Sequence, residues 1–179
     1  KSVDVLIKAF KKVIEKVPES RLIIAGSGEE DGNLKNLAKR LGIEASVEFK
    51  GRVSDEAKSR LLQEAWVLAN PSFMEGWGIT TIEANACGTP VIASNVPGLR
   101  DSVKDGETGY LVPRGDAGAF SEKIIKIILD KELRDKMGLE GANWAKNFDW
   151  NKTSEIFLSI ISQNLSEQSL KLVNSKQTL

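Results

Sequence analysis

The chain has 179 residues, of which 41% are apolar, which suits one domain with a hydrophobic core. Its 25 basic and 25 acidic side chains cancel, so it lacks the basic surface that a nucleic-acid partner would require. Histidine is absent and Cys87 is the single cysteine, which argues against a disulfide framework and against the usual zinc ligands. We therefore expect no metal site, and chemistry that depends on carboxylates, lysines and backbone amides.

Short apolar runs alternate with amphipathic helical patterns along most of the chain. The predicted strands are 21–25, 47–50, 66–69, 90–94 and 110–112, and the predicted helices are 2–17, 33–41, 55–65 and 78–87, with a turn or two near 99–106 and helix from 117 onward. The runs 21–25, 66–69 and 91–93 are interpreted as buried strands. This alternation is typical of an α/β fold with a doubly wound, mostly parallel sheet and helices on both faces.

Right-handed crossovers would collect the loops that follow the strands along one edge of this sheet. The loops concerned are 26–33, 51–55, 71–78 and 94–100, and they hold many of the glycines and polar residues of the chain. Ligands of open α/β sheets bind at this carboxyl edge. The predicted ligand site therefore lies there.

The first of these loops contains Gly26-Ser27-Gly28, which invites comparison with the dinucleotide-binding fingerprint. The third glycine of that fingerprint is replaced by Asp31, and the helix predicted to follow begins too late for the tight turn. An NAD site is therefore disfavoured. The two glycines form either a plain turn or a place where backbone amides approach a ligand closely.

The segment 71–93 joins two of the predicted strands and has the clearest functional pattern. Its turn, Gly76-Trp77-Gly78, opens a short helix, and amides at a helix start bind anions. Glu75 and Glu83 flank that turn with seven residues between them. Carboxylates beside an anion site need hydroxyl donors, which predicts a ligand that carries both phosphate and sugar hydroxyls. The alternative is a pair of ordinary solvated acids at a helix end.

Several segments together resemble the retaining glycosyltransferases of family 4, which have the two-domain GT-B fold. The segment EGWGITTIEANACGTPVIAS contains the Glu-x7-Glu signature of that family, and KSVDVLIKAF is similar to its K-G-x-x-x-L-I-x-A-F helix, with Ser2 in place of glycine. The segments RLIIAGSG, EFKGRVS and GETGYLVPRGD and the tripeptide Phe148-Asp149-Trp150 have counterparts in the same order. The resemblance covers residues 1 to about 160 and implies one Rossmann-like half of a GT-B fold.

The resemblance also implies roles for individual residues. Glu75 and Glu83 would be the catalytic-site carboxylates, accepting hydrogen bonds from the hydroxyls of the donor sugar and of the nucleotide ribose. Lys1 would neutralise the diphosphate, Val53 would contact the base through its backbone, and Ile79 would be central to the amides that hold the diphosphate. The expected donor-binding set is Lys1, Gly26, Gly28, Val53, Gly76, Trp77, Gly78, Ile79 and Thr80. Arg100 and Asp101 replace the usual Pro-Glu of the family and receive little weight.

The family's acceptor-binding N-terminal domain has no counterpart in the sequence. The resemblance therefore implies the donor-binding half of an enzyme that transfers a hexose from a nucleotide-diphosphate sugar to a glycan, lipid or small-molecule acceptor. UDP- and GDP-sugars are both compatible, and members of this kind generally need no bound metal. A nucleotide-sugar epimerase and a non-catalytic nucleotide-sugar sensor are the alternative functions.

The expected organisation is a donor-binding domain at 1–148, a crossover helix at 149–165 and a frayed or disordered tail at 166–179. The apolar stripe from Ile156 to Leu165 fits either that crossover, which returns to the missing domain, or an ordinary core helix. No apolar run approaches the ~20 residues of a membrane span, and no signal peptide is recognisable. The expected location is cytoplasmic, with peripheral attachment to the inner membrane face through the missing domain as a further option.

Overall fold

Parallel strands and helices alternate through the first 112 residues of the chain. The computed structural model describes the backbone of residues 1–176 and the side chains of residues 1–165. The strands are β1 (Leu22–Ala25), β2 (Val47–Gly51), β3 (Leu68–Asn70), β4 (Val91–Ser94) and β5 (Gly109–Val112). Residues 1–145 form one compact unit. Its helices are α1 (Val3–Lys16), α2 (Asp31–Arg40), α3 (Asp55–Glu64), α4 (Ile79–Ala86), α5 (Leu99–Ser102), α6 (Ala117–Leu129) and α7 (Lys131–Ala145).

Every strand pair is parallel, which confirms the α/β class predicted from the alternation. The hydrogen bonds divide the strands into two sets: β1 pairs with β2, and β4 lies between β3 and β5. In the second set Val91 is aligned with Leu68 on one side and with Gly109 on the other. The loops that leave β3, β4 and β5 therefore emerge at a common edge.

Strand β4 separates two hydrophobic clusters, because successive side chains of a strand point to opposite faces. Ile92 belongs to a cluster with side chains of α1 and α6 such as Phe10 and Phe120. Val91 and Ala93 belong to the other cluster, which α3, α4 and α5 cover with Leu62, Ala84 and Leu99. Helices therefore pack on both faces of the strand, as a doubly wound sheet requires.

Helical periodicity explains which helix faces are buried. In α1 the buried residues Leu6, Ile7, Phe10 and Val13 recur at intervals of one, three and three, which places them on one stripe of the helix. Phe120, Ile124 and Ile127 form the matching stripe of α6. The two stripes pack together in the first cluster.

Two expectations from the sequence are wrong in detail. Strand β1 is only half-buried, since Ile23 on its outer face is 43% exposed. Trp66 lies before β3 rather than in it, is 56% exposed, and lies against the guanidinium of Arg134 at 4.3 Å from the ring centre.

Ser2 is the N-cap of α1 and has a left-handed backbone with φ of 55°. That conformation favours glycine, the residue that the resemblance places at this position.

A second compact unit begins at Lys146. A 3₁₀ turn at Lys146–Phe148 leads to α8 (Trp150–Lys176), whose first turn is capped by the carboxylate of Asp149. The residues of the predicted apolar stripe, including Phe157 and Ile160, are exposed. The tail predicted to fray is helical as far as Lys176, and residues 177–179 lie outside the described residues. Within the described part of the chain, no helix combines the length and apolarity needed to cross a membrane.

Truncation of Ile92 tests the position of β4 in the core. Ile92→Ala should lower the free energy of unfolding by about 2–5 kcal/mol, because the fully buried side chain would leave a cavity. The matched control, Ile23→Ala on the exposed face of β1, should cost clearly less. Urea unfolding followed by circular dichroism measures both, and equal losses would contradict this description of the core.

Candidate functional site: a helix start flanked by two lysine-paired glutamates

The centre of the candidate site is the loop from β3 to α4. Gly78 is the N-cap of α4, with φ of 80°, and it supplies no side-chain cap for the first turn. Thr81 N–H donates to the Gly78 carbonyl oxygen, and Ile79 and Thr80 are exposed at the helix start. Trp77 is half-buried beside them. The site therefore presents the beginning of a helix, where the macrodipole and amide groups favour an anion.

The loop between β4 and α5 packs closely against the loop from β3 to α4. A Cβ atom at Gly98 would lie 2.3 Å from the carbonyl oxygen of Glu75 and 2.6 Å from that of Gly76, so only glycine fits. Gly98 also has a φ of 80°, which favours glycine independently. The loop that follows β4 therefore restricts the position of the backbone at Glu75 and Gly76.

Glu75 is paired with Lys1, a second residue of the expected donor-binding set. The Lys1 ammonium donates to Glu75 Oε2 at 2.6 Å, with the side chains 69% and 20% exposed. This hydrogen bond, with a smaller contribution from Ser72, outweighs partial burial and holds the pKa of Glu75 below its ordinary value. The carboxylate is therefore ionised at neutral pH and can accept hydrogen bonds from hydroxyl groups.

Glu83 is paired with a lysine that the sequence did not single out. The Lys58 ammonium on α3 donates to Glu83 Oε1 at 2.7 Å and lies 3.1 Å from Asp55 Oδ1. The bond to Glu83, followed by the bond to Asp55, raises the pKa of Lys58 above its ordinary value. Both partners of the Lys58–Glu83 pair have side chains that are one third exposed, so the pair is open to a ligand.

The same pair lies at an open cleft of about 320 Å³ between α3 and α4. Leu62, Ala86 and Cys87 form its apolar part, and Asp55, Lys58 and Glu83 its polar part. Burial, and secondarily the charge of Glu83, raises the pKa of the Cys87 thiol, so this side chain suits the role of a small hydrophobic residue better than that of a reactive thiolate.

The other predicted site residues lie on the loops that follow β1 and β2. Gly26 follows β1 and donates its amide to the Gly51 carbonyl oxygen at 2.7 Å, and the Gly28 amide donates to Asp31 Oδ1 at 3.1 Å. Val53 lies half-buried in the loop between β2 and α3. Among the predicted site residues, the structure thus brings Lys1 and Glu75 into contact. The amides of Gly26 and Gly28 already donate hydrogen bonds to other groups of the protein.

Sequence reasoning missed Lys58 and Gly98. Lys58 belongs to no motif, and the signal that could have identified it is its position one turn into a helix that starts at the ligand edge. Among the described residues, no group of three or more acidic, cysteine or histidine side chains is arranged to hold a metal ion.

Comparison with known proteins identifies the family of this chain. Residues 1–144 match the family described as glycosyl transferases group 1. The chain belongs to this family. It is 34% identical over 168 residues to the D-inositol 3-phosphate glycosyltransferase of Kribbella flavida, a match that covers 89% of the chain and 40% of the relative. The chain therefore spans about 40% of the length of such relatives.

Two solved structures are similar to this group 1 chain over most of its length. HepE of Anabaena in complex with UDP-glucose is 26% identical with a TM-score of 0.83, covering 91% of this chain and 45% of that one. The C-terminal domain of a group 1 glycosyl transferase from Francisella tularensis, at 23% identity, has a TM-score of 0.73 and covers 83% of this chain and 79% of that one. The second likeness confirms the predicted fold, an α/β domain that matches the C-terminal half of a GT-B protein.

Substitution of Gly98 tests the contact between the two loops. Gly98→Ala should lower the free energy of unfolding by about 1–2 kcal/mol for the left-handed backbone and by about 1–3 kcal/mol more for the clash. Gly106→Ala is the matched control, because Gly106 has nearly the same φ of 79° but open space around its Cα. Equal losses in urea unfolding would show that the loops do not meet.

Proposed function

We propose that this chain binds the donor, a nucleotide-diphosphate sugar, for a retaining hexosyl transferase. The observation that carries the proposal is the uncapped start of α4 flanked by two glutamates, each paired with a lysine. The diphosphate would bind at the helix start, with the donor sugar hydroxyls donating to Glu75 and the ribose hydroxyls donating to Glu83. Membership in the family supports this assignment of roles.

The proposed chemistry develops negative charge on the departing diphosphate while the sugar becomes oxocarbenium-like. Backbone amides from Gly76 to Thr80 and the Lys1 ammonium would stabilise that charge, which is the preorganised electrostatic contribution that usually dominates catalysis. Lys1 donates to Glu75 in the structure, so on donor binding it would lie between the carboxylate and the phosphate oxygens. The acceptor would attack from the face that the diphosphate leaves. Cationic side chains and amides would take the place of a metal.

UDP-sugars are the first candidates for the donor, because HepE, similar in fold and 26% identical, was solved with UDP-glucose. GDP-sugars such as GDP-mannose are the second. The acceptor site would belong to a further domain, since the relatives are about two and a half times as long as the matched region. In this proposal residues 149–165 form the crossover toward that domain.

Substitution of Glu83 tests the proposed donor site. Glu83→Gln should weaken binding of UDP-glucose, or of GDP-mannose if that is the donor, by about 3- to 30-fold, because the ribose hydroxyls would donate to a neutral amide oxygen instead of a carboxylate. Isothermal titration calorimetry of the 179-residue chain measures this dissociation constant. Glu19→Gln is the control, since Glu19 is exposed before β1, at the opposite edge of the sheet. An unchanged dissociation constant for Glu83→Gln would contradict the proposal.

Product analysis of the full-length protein distinguishes the proposed transferase from the two alternatives, a nucleotide-sugar epimerase and a nucleotide-sugar sensor. Transfer of the hexose to an acceptor, without epimerised donor, supports the transferase. Epimerised donor would indicate an epimerase, and tight binding without hydrolysis or transfer would indicate a sensor.

A further inference from the structure

The Lys58–Glu83 pair differs from an ordinary surface ion pair in its surroundings. It joins α3 to α4 between residues that are 25 positions apart in the sequence. Because both side chains are partly exposed, the pair itself contributes little to stability. Lys58 is also held by Asp55 one helical turn before it, so the ammonium is fixed from two sides. Glu83, by contrast, lies in a helix stretch whose other side chains are small or apolar, such as Ile82, Ala84 and Ala86.

A carboxylate offers about four acceptor positions on its two oxygens. Lys58 donates to Oε1 of Glu83, and in the part of the chain that the structure describes no other hydrogen bond to this carboxylate is found. The remaining positions therefore stay open for hydroxyl groups of a ligand. Fixing a flexible glutamate side chain before the ligand arrives removes an ordering cost from binding.

We infer that Lys58 is a positioning residue that holds Glu83 in place to accept both hydroxyl groups of a ribose. The inference rests on the proposed function, in which Glu83 faces the nucleotide ribose. Lys58 itself does not contact the reacting atoms. It makes the site selective for a vicinal diol, that is, for ribonucleotides over their deoxy counterparts.

The preference for a ribonucleotide over its deoxy counterpart distinguishes two possible roles of Lys58, positioning of Glu83 and general attraction of the anionic ligand. A lost positive charge near a diphosphate weakens binding of UDP and of 2′-deoxy-UDP equally, so their ratio stays constant. A misplaced Glu83 weakens only the complex that uses the hydroxyl. The ratio of the two dissociation constants therefore reports the orientation of Glu83.

The experiment measures dissociation constants of UDP, 2′-deoxy-UDP and 3′-deoxy-UDP, and of the corresponding guanosine diphosphates, by calorimetry on the 179-residue chain. The unsubstituted chain should bind at least one ribonucleotide about tenfold or more tightly than a deoxy counterpart. Lys58→Met, which keeps the apolar stem of the side chain, should reduce that ratio about two- to tenfold. Lys58→Arg should restore most of it, because the cation is retained.

Two controls accompany these variants. Lys11→Met removes a lysine of similar exposure that pairs with Glu15 on α1, and it should leave the ratio unchanged. In a chain that already has Glu83→Gln, the added Lys58→Met should not change the ratio further. If circular dichroism shows that the Lys58→Met chain is unfolded, Lys58→Gln replaces it in these measurements.

The outcomes distinguish this inference from the proposed function. If the unsubstituted chain binds none of the diphosphates, the proposed function fails and the inference with it. If the chain binds them and Lys58→Met keeps the unsubstituted ratio, Lys58 is only structural and the inference is overturned while the donor site stands. A higher ratio in Lys58→Met would show that Lys58 competes with the ribose, which also overturns it.

Discussion

The main constraint on this site is that two carboxylates flank the helix start that we propose as the diphosphate site. Unpaired, Glu75 and Glu83 would repel a diphosphate. In the structure Lys1 donates to the first and Lys58 to the second, so each acidic side chain carries a compensating charge. In the proposed site the carboxylates would accept hydrogen bonds from the sugar and ribose hydroxyls while the start of α4 binds the phosphate. One short segment could thus recognise both hydroxyl and phosphate groups.

This arrangement depends on a scaffold that holds the start of α4 from several sides. Gly98 allows the next loop to touch the backbone at Glu75 and Gly76. The Thr81 and Ser102 hydroxyls lie 2.8 Å apart, and Trp144 donates its indole N–H to the Ser102 carbonyl oxygen at 3.0 Å. These polar contacts are buried or partly buried, and they connect α4 to α5 and α7. The loop geometry is therefore maintained by the core rather than by the ligand.

Much of the fold could be predicted because its patterns are local. The apolar run at β4 and the stripes of α1 and α6 follow from side-chain periodicity, and the segment around Glu75 and Glu83 has a recognisable spacing. What could not be predicted depends on contacts between distant residues. Lys58 reaches Glu83 only after α3 and α4 pack together, and the exposed ring of Trp66 contacts the guanidinium of Arg134, which lies 68 residues further along the chain.

A crystal structure of this chain with UDP-glucose, or with GDP-mannose if that is the ligand that binds, would show directly where the nucleotide sugar lies. The diphosphate oxygens should lie about 2.7–3.2 Å from backbone amides at the start of α4. The ribose hydroxyls should lie at the same distance from the Glu83 carboxylate, with Lys58 still bound to Oε1. A nucleotide bound elsewhere on the chain, or one whose ribose points away from Glu83, would contradict the proposed donor site.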